Sequence, residues 1–456
     1  MMRRSEIMQL SREQHVAQLE RIINPDQRAA YYKTFVNTES VDLATAENLL
    51  LVPFLQQNAF VNFGPVGLET IKYPVPSPQV PGAQPYNGGS EILESVASFL
   101  TTQWNVPVSS DNMFGSPGVV AGLEVIALAL FKPGDKVLIP APLWYGFTWS
   151  LCMKAVAMQF VPFQIDGGVN LTAANVKTAL AQNPDAKLLV LTNPNNPLGV
   201  NYSKALLEEI YALFLADPNR HIISDEIYAC SQVGSSSAFV TALSLDAYKK
   251  FPKQIHVTWG LSKDFGVAGF RAGFLISNAA AVQTALNGGA CGPIPSWYAS
   301  VAWISPFVTS NPYLLQRLFF NNGNPDPAMA NQAMTVYKGL LQQQYNATAQ
   351  LLNQGNIPYS KGNTGALFFW LDLSKYLDLV PVTVKPQPPL CSYLYTHDDI
   401  RERRLLTYIQ DAGVQLVRGQ ECFNEAPGFF RLCYTAATLE QVTTGINNMI
   451  AALKKL

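Results

Sequence analysis

The run Lys187-Leu188-Leu189-Val190-Leu191, followed by Thr192-Asn193-Pro194-Asn195-Asn196-Pro197, decides the fold class of this chain. A short apolar run that ends in a turn rich in Asn and Pro is typical of a buried strand. Further runs of this kind, with longer helical patterns between them, lie at residues 136–139, 221–224, 256–259 and 272–276. Strands that alternate with helices indicate an α/β fold, in which helices cover both faces of a parallel sheet. Ligands bind at the carboxyl ends of such strands, so the polar residues after each run are candidates for a functional site.

The C-terminal part of the chain has a different pattern and predicts a second, smaller α+β domain. Its expected elements are a long helix at 334–352, a strand at 366–371, a helix at 399–411 and strands at 414–417 and 429–434. The N-terminal segment, with a helix around residues 12–23, is expected to pack with this domain. We therefore predict an N-terminal segment at 1–60, a large domain at 61–330 and a small domain at 331–456.

The composition limits the class of ligand. The chain has 456 residues and a formal net charge of −1, and its Lys and Arg residues form no basic run. This balance argues against nucleic acid or a membrane surface as a partner. The six cysteines lack CxxC spacing, so no metal site and no disulfide framework are predicted. The N-terminus has no apolar signal-peptide core, so we expect a cytoplasmic protein with a small-molecule ligand.

Lys263 lies between a strand-like run and the segment Gly266-Val267-Ala268-Gly269-Phe270-Arg271. A tight turn here would leave the amine facing a cleft. Partial burial and a nearby cation such as Arg271 would both help the amine to lose its proton, which imine formation requires. The alternative is a surface lysine and a salt-bridging arginine, and this pair alone favours that alternative.

Asp225 directly follows an apolar strand, where an unpaired carboxylate would be costly to bury. A cation such as a pyridinium nitrogen would satisfy it, and the carboxylate would keep that nitrogen protonated so that the ring can accept electrons. Tyr228 could donate to a phenolate oxygen of the same ring. A helix N-cap Asp and a core Tyr are the competing interpretation.

Three further side chains fit the same kind of site. Asn196 could be an amide donor to the phenolate oxygen or an ordinary turn residue. Trp144 could stack on a ring or belong to the core. Arg431 is a lone cation in an apolar strand, and either the α-carboxylate of an amino acid or a structural acid could be its partner.

The order and spacing of these signals are far more specific than any one of them. Together they resemble fold-type-I pyridoxal-phosphate enzymes of the class I/II aminotransferase family, from about Asp42 to Leu439. Within that family they are most similar to the aminocyclopropane carboxylate synthase branch. The segments that carry the resemblance are Ala44-Thr45-Ala46-Glu47-Asn48, Tyr86-Asn87-Gly88-Gly89, Asn196-Pro197-Leu198-Gly199, Ser224-Asp225-Glu226-Ile227-Tyr228, Ser262-Lys263-Asp264-Phe265-Gly266, Gly269-Phe270-Arg271 and Phe430-Arg431-Leu432-Cys433.

The resemblance implies a large domain with a mixed, mostly parallel sheet between helices, a smaller α+β domain, and pyridoxal 5'-phosphate as cofactor. It also implies a homodimer with active sites at the subunit interface. The roles that it implies are Lys263 as Schiff-base lysine and Cα base, Asp225 on the pyridine nitrogen, Asn196 and Tyr228 on the phenolate oxygen, Trp144 as stacking ring, Ser262 and Arg271 on the phosphate with Tyr86 from the other subunit, and Arg431, Asn196 and Glu47 towards the substrate.

Two departures from the family pattern concern the phosphate. Gly260 stands where the family has a phosphate-binding Ser or Thr, which removes a hydrogen bond worth roughly 1.5 to 3 kcal/mol. Val119 and Val120 stand where a small residue and Thr are expected, so only backbone N–H groups of that helix start can serve the anion. Both changes indicate a remodelled cofactor pocket.

Three classes of function are consistent with these residues. The preferred hypothesis is an enzyme that deprotonates Cα through Lys263 and acts on a substrate with a Cγ leaving group, such as S-adenosylmethionine, by γ-elimination, γ-substitution or ring closure in a biosynthetic pathway. The second is an aminotransferase between an amino acid and a 2-oxo acid. The third, a non-enzymatic regulator or scaffold, gives no physical reason to keep an imine lysine together with its electron-sink partner.

Overall fold

The computed structural model describes residues 40–59, 90–152, 157–234, 239–286, 312–321, 324–386 and 398–456. In chain order its strands are β1 Val41–Asp42, β2 Met113–Pro117, β3 Lys136–Ala141, β4 Gln159–Gln164, β5 Leu188–Thr192, β6 His221–Asp225, β7 Ile255–Gly260, β8 Ala272–Ser277, β9 Phe320–Asn321, β10 Asn324–Pro325, β11 Phe368–Asp372, β12 Val414–Gln415, β13 Val417–Arg418 and β14 Phe429–Cys433. Its α-helices are Val52–Asn58, Ser90–Trp104, Val119–Leu130, Ala173–Gln182, Lys204–Phe214, Asp246–Lys250, Leu261–Asp264, Ala280–Leu286, Pro312–Phe319, Ala328–Gln354, Ile400–Asp411 and Leu439–Leu453.

A seven-stranded sheet with the order β2-β8-β7-β6-β5-β3-β4 forms the centre of the large domain. The pairs from β7 to β4 are parallel, whereas β8 runs antiparallel to both β7 and β2. Every residue of β5, β7 and β8 is buried, as expected for strands covered by helices on both faces. The α/β fold with a mixed, mostly parallel sheet is therefore confirmed.

Local sequence fixes several helices on this sheet. Thr172 caps Ala173–Gln182 with a capping box to Asn175, and Ser203 accepts a hydrogen bond from the Leu206 N–H at the start of Lys204–Phe214. The helix Val119–Leu130 instead follows Gly118, whose φ of 78° suits a glycine. Its first amides thus lie next to the end of β2.

The small domain is built on the antiparallel sheet β11-β14-β13, with Ala328–Gln354 packed against Leu439–Leu453. The N-terminal strand β1 pairs in parallel with β12, so residues 41–42 are attached to this part of the chain. The helix expected around residues 12–23 lies outside the described residues. The domain boundaries remain predictions.

Elements of the small domain begin and end differently from the sequence-based expectation for local reasons. The long helix starts at Ala328 because an Asp326 carboxylate oxygen accepts a hydrogen bond from the Ala328 N–H at 2.9 Å. The strand expected from Ala366 begins at Phe368, since Ala366 has a φ of 58°. The strand expected at 414–417 is divided into two short strands. Of these, β12 pairs with β1 and β13 pairs with β14.

The segment around Phe423 joins the two domains. The Leu143 N–H donates to the Cys422 carbonyl at 2.8 Å, and Gln164 Nε2 donates to the Phe423 carbonyl at 2.9 Å. The Phe423 ring packs beside Phe160, with centroids 5.0 Å apart. Over the described part of the chain, no helix combines the length and apolarity needed to cross a membrane.

Candidate active site

One edge of the large sheet collects the predicted site residues. The strands β5, β6 and β7 end at this edge, and the residues that follow them include Asn196, Tyr228 and Lys263. Because β8 is antiparallel to β7, it begins at the same edge, directly after Arg271. Strand order therefore brings together side chains that are far apart in the sequence.

Asp225 ends β6 as a buried carboxylate with 4% exposure. Thr258 Oγ1 donates to one carboxylate oxygen at 3.2 Å and Thr192 Oγ1 to the other at 3.3 Å. Burial raises the pKa of Asp225 to about 6, although these hydrogen bonds and the positive charge of Lys263 act in the opposite direction. A cation of fixed position beside this carboxylate would offset the cost of its burial.

Asn196, Tyr228 and Arg431 form a connected group. Asn196 Nδ2 donates to the Tyr228 hydroxyl at 3.3 Å, and Arg431 Nη1 donates to Asn196 Oδ1 at 2.9 Å. The Arg431 guanidinium also lies over the Phe368 ring, 4.7 Å from its centroid. Arg431 is 4% exposed, and its buried Nε atom has no hydrogen-bond partner among the described residues. This group combines donors suited to an oxygen anion with a cation suited to a carboxylate.

Lys263 lies in the short helix Leu261–Asp264, which begins where β7 ends. Its Nζ donates to the Ala46 carbonyl at 2.6 Å. Burial lowers the pKa of the Lys263 amine. Cys433 and Glu47 raise this pKa, whereas Arg431 and Arg271 lower it further. The amine therefore loses its proton more readily than an exposed lysine does.

Arg271 and the start of the helix Val119–Leu130 face each other. A Cβ atom added to Gly118 would clash with Arg271 Nη2, which shows how closely the guanidinium approaches this helix start. Val119 and Val120 are its first two residues. Backbone N–H groups and a guanidinium at one point suit a bound anion such as a phosphate.

The Gly260 departure has a structural counterpart. A Cβ atom at Gly260 would lie 2.8 Å from the Ala272 carbonyl oxygen, and one at Gly273 would lie 2.7 Å from the Val119 amide nitrogen. Both distances are shorter than real Cβ contacts allow. Because Gly260 and Gly273 have no side chains, β7, β8 and the start of the helix Val119–Leu130 can pack closely together. In the family pattern, a hydroxyl side chain stands at the position of Gly260.

The remaining predicted site residues are Trp144, Ser262, Glu47 and Tyr86. Trp144 is half-buried, and its indole lies over Gly146 and against Phe147, with ring centroids 5.3 Å apart. Ser262 is buried beside Lys263. Glu47 is exposed, but its charge acts on the Lys263 amine. Tyr86 lies outside the described residues.

Sequence reasoning missed several contributors to the site. The hydroxyls of Thr192 and Thr258 hold Asp225, and Asp264 accepts hydrogen bonds from Trp259 Nε1 at 2.8 Å and Ser231 Oγ at 2.6 Å. Their only sequence signal was a position at a strand end or beside Lys263. Such contacts depend on strand register, which the sequence does not display.

The fold is that of the fold-type-I pyridoxal-phosphate-dependent transferases. The structure of aspartate aminotransferase from Thermus thermophilus with maleate superposes with a TM-score of 0.65 at 18% identity, covering 93% of this chain and 95% of that one. At this identity the likeness concerns the fold alone.

The family model described as aminotransferase class I and II matches residues 77–448. The chain therefore belongs to the class I and II aminotransferase family, whose members depend on pyridoxal phosphate. The expected family and cofactor are thereby confirmed.

The relatives that match this chain include 1-aminocyclopropane-1-carboxylate synthases and probable aminotransferases. The chain is 30% identical over 368 residues to a probable inactive 1-aminocyclopropane-1-carboxylate synthase-like protein 2 of Mus musculus, covering 78% of this chain and 57% of that protein. It is 26% identical to 1-aminocyclopropane-1-carboxylate synthase 6 of Oryza sativa subsp. japonica, covering 77% and 60%. The chain thus spans less than two thirds of the length of these two relatives. A probable aminotransferase of Claviceps purpurea is 28% identical, covering 92% of this chain and 90% of that protein.

Proposed function

We propose that this chain is an enzyme that binds pyridoxal 5'-phosphate at the sheet edge and removes the Cα proton of an amino acid. The observation that carries the proposal is the convergence of a buried amine with lowered pKa, a buried carboxylate and a buried guanidinium at Lys263, Asp225 and Arg431. These groups fit the cofactor because Asp225 needs a cation, and the amides after Gly118 with Arg271 suit its phosphate.

The residues that would hold the cofactor follow from these contacts and from the family resemblance. When bound, the cofactor supplies an electron sink for the pair left at Cα. Its attachment point would be Lys263, and Asp225 would keep a ring nitrogen protonated. The remaining contacts would come from Asn196, Tyr228, Trp144, Ser262, Arg271, the amides of Val119 and Val120, and Tyr86 of the second subunit of a homodimer.

The side chains of Arg431 and Lys263 have different roles towards the substrate. Arg431 binds the α-carboxylate, while Asn196 and the Ala44 carbonyl accept hydrogen bonds from its Nη1 and Nη2 atoms and fix the guanidinium. Lys263 takes the Cα proton on Nζ, which burial helps to keep neutral before the step. Ala46 holds the amine through its carbonyl until the proton moves.

We further propose that the substrate carries a leaving group at Cγ, with S-adenosylmethionine as the preferred example. The charge of Glu47 reaches Lys263, which fits a role for this carboxylate close to the reacting atoms. The rice relative is named a 1-aminocyclopropane-1-carboxylate synthase. In this reaction the Cγ–S bond breaks and its electron pair leaves with methylthioadenosine. In ring closure the electron pair left at Cα forms the Cα–Cγ bond, and in substitution a nucleophile supplies the pair for the new Cγ bond. In elimination Cβ also loses a proton, and the pair of that C–H bond forms the Cβ–Cγ double bond.

The second candidate is an aminotransferase, which needs the same groups at Lys263, Asp225 and Arg431. The family description and the Claviceps relative favour it. It differs in the final step, since no Cγ bond breaks and Lys263 would instead deliver the proton to a carbon that the bound cofactor would supply.

One pair of assays separates the candidates. The purified chain is incubated with pyridoxal phosphate and S-adenosylmethionine, with and without added nucleophiles, and methylthioadenosine is measured by mass spectrometry beside a Lys263→Ala control. Release that depends on Lys263 supports the first candidate. Conversion of the cofactor to its amine form by a single amino acid, seen in the absorbance spectrum, without methylthioadenosine supports the second.

Two further properties belong to the same proposal. The balanced net charge of −1 fits a cytoplasmic enzyme with a small amino-acid substrate and no nucleic-acid or membrane partner. Sedimentation analysis with a Tyr86→Ala variant would test the homodimer and the cross-subunit phosphate contact. A monomeric wild-type chain with full cofactor affinity would contradict both.

A further inference from the structure

Residues 42–49, named here the strap, cross the site as an extension of the small domain. The Leu43 carbonyl accepts a hydrogen bond from the Cys433 N–H at 2.7 Å, and the Leu49 N–H donates to the Thr435 carbonyl at 3.0 Å. Cys433 ends β14 and Thr435 lies two residues beyond it, and β14 carries Arg431. The strap is therefore fixed relative to Arg431.

The strap also accepts hydrogen bonds from Arg431 and Lys263. The Ala44 carbonyl accepts from Arg431 Nη2 at 2.7 Å, and the Ala46 carbonyl accepts from Lys263 Nζ at 2.6 Å. Arg431 belongs to the small domain, whereas Lys263 follows β7 of the large sheet. One short segment thus spans the distance between the two domains at the site.

Asn48 connects the strap to the main chain of Lys263. Its Nδ2 donates to the Lys263 carbonyl at 2.8 Å and to the Asp264 carbonyl at 3.3 Å, and its Oδ1 accepts from the Leu50 N–H at 3.1 Å. Asn48 is 1% exposed. A Cβ atom on Gly266 would clash with the Asn48 carbonyl oxygen, so the two backbones touch. An amide uniquely matches this arrangement, since it offers two donors and one acceptor.

We propose that Asn48 is a positioning residue that sets the place of Lys263 relative to Arg431. This inference rests on the proposed function, in which Lys263 takes a proton from a substrate held by Arg431. With its main chain held by Asn48, Lys263 moves only its side chain between the Ala46 carbonyl and the Cα proton. A displacement of about 1 Å in such geometry costs roughly a hundredfold in rate.

Two substitutions of Asn48 would break its hydrogen bonds to the main-chain carbonyls of Lys263 and Asp264. Asn48→Asp keeps the size but turns an oxygen towards the carbonyls of Lys263 and Asp264, and Asn48→Ala removes the side chain. Asn58→Asp is the matched control, because Asn58 is exposed and, among the described residues, its amide donates within its own helix to the Phe54 carbonyl at 2.8 Å.

The first measurement uses the cofactor-free chain. Trace acetylation over a range of pH, followed by mass spectrometry, gives the labelling rate of Lys263 relative to the exposed Lys249. Loss of a hydrogen bond worth about 1 to 1.5 kcal/mol predicts a roughly tenfold rise of this ratio in both Asn48 variants. Asn58→Asp should match the wild type, and unfolding temperatures measured in parallel identify any general loosening.

The second measurement uses the chain loaded with pyridoxal phosphate. The midpoint of the pH titration of its visible absorbance should shift in the Asn48 variants and stay constant in Asn58→Asp. Unchanged labelling and an unchanged midpoint in a folded Asn48 variant would overturn the inference. A wild type that shows no visible absorbance with pyridoxal phosphate would instead contradict the proposed function, while the labelling ratio would still decide the role of Asn48.

Discussion

Replacing Asp225 by Asn is expected to stabilise the cofactor-free chain and to impair the loaded enzyme. Burial raises the pKa of Asp225 from 3.8 to about 6. The folded chain therefore binds this proton more tightly than the unfolded chain, and stability is lost as the pH rises from about 4 through 6. At 1.36 kcal/mol for each pKa unit, ionised Asp225 costs the fold about 3 kcal/mol at neutral and alkaline pH.

The neutral amide that Asp225→Asn introduces has no charge to desolvate and can still exchange hydrogen bonds with the hydroxyls of Thr192 and Thr258. We expect this substitution to raise the free energy of unfolding of the cofactor-free chain by about 3 kcal/mol near pH 8, and by less than about 1 kcal/mol near pH 4. In the loaded enzyme the same change removes a charge-assisted hydrogen bond. Turnover should fall by roughly ten- to a hundredfold, the equivalent of about 1.5 to 3 kcal/mol.

Urea unfolding followed by circular dichroism, at several pH values and without cofactor, measures the first effect. Asp111→Asn serves as the control, because Asp111 is exposed and its carboxylate accepts a hydrogen bond from the nearby Ser109 hydroxyl at 3.0 Å, so its replacement changes no buried charge. A stability change in Asp225→Asn that is the same at every pH, or a loss near pH 8, would refute the reasoning from burial.

Other perturbations test other parts of the molecule. Arg431→Lys should raise the KM for the amino acid by roughly tenfold or more in steady-state kinetics, because a lysine cannot make the bidentate contact, and an effect on kcat alone would contradict the carboxylate role. Gly118→Ala should weaken cofactor binding in an absorbance titration, since its Cβ would clash with Arg271 Nη2. Gly134→Ala, with a similarly positive φ but open space, should strain the backbone without this effect. Burial lowers the pKa of His221 to about 4, so stability should fall as the pH drops from about 6.5 to 4. His221→Gln should reduce that loss by at most roughly 3 to 4 kcal/mol, which is the difference between 6.5 and 4 at 1.36 kcal/mol per pKa unit, and equal pH slopes for both chains in denaturant unfolding would contradict this expectation.

The fold class could be predicted because buried parallel strands are continuous apolar runs. The runs at 187–191 and 256–259 match β5 and β7 closely. The strands β2 and β4 escaped prediction, since MFGSP and QFVPFQ contain Gly, Pro or polar residues that weaken the strand pattern. Their places in the sheet are set by pairing with β8 and β3.

Most of the predicted site residues share a sequence signal, a polar or charged side chain in a family motif. Lys263, Asp225 and Arg431 carry that signal. The side chain of Asn48 lay inside a quoted motif, yet its contact with Lys263 spans 215 positions and could not be seen. Trp144 illustrates the opposite case, since its position was predicted but the direction of its indole, over Gly146, depends on the fold of its own loop.

The crowded backbone at Gly260 limits which side chains this position can accept. A serine in place of Gly260 would introduce a Cβ atom 2.8 Å from the Ala272 carbonyl oxygen and 3.1 Å from the Gly273 Cα atom, so strands β7 and β8 would have to shift apart to admit it. Gly273 in turn packs against the Val119 amide nitrogen, so such a shift would press on the start of the helix Val119–Leu130. Placing a hydroxyl side chain at position 260 by design would therefore require exchanging the three segments together.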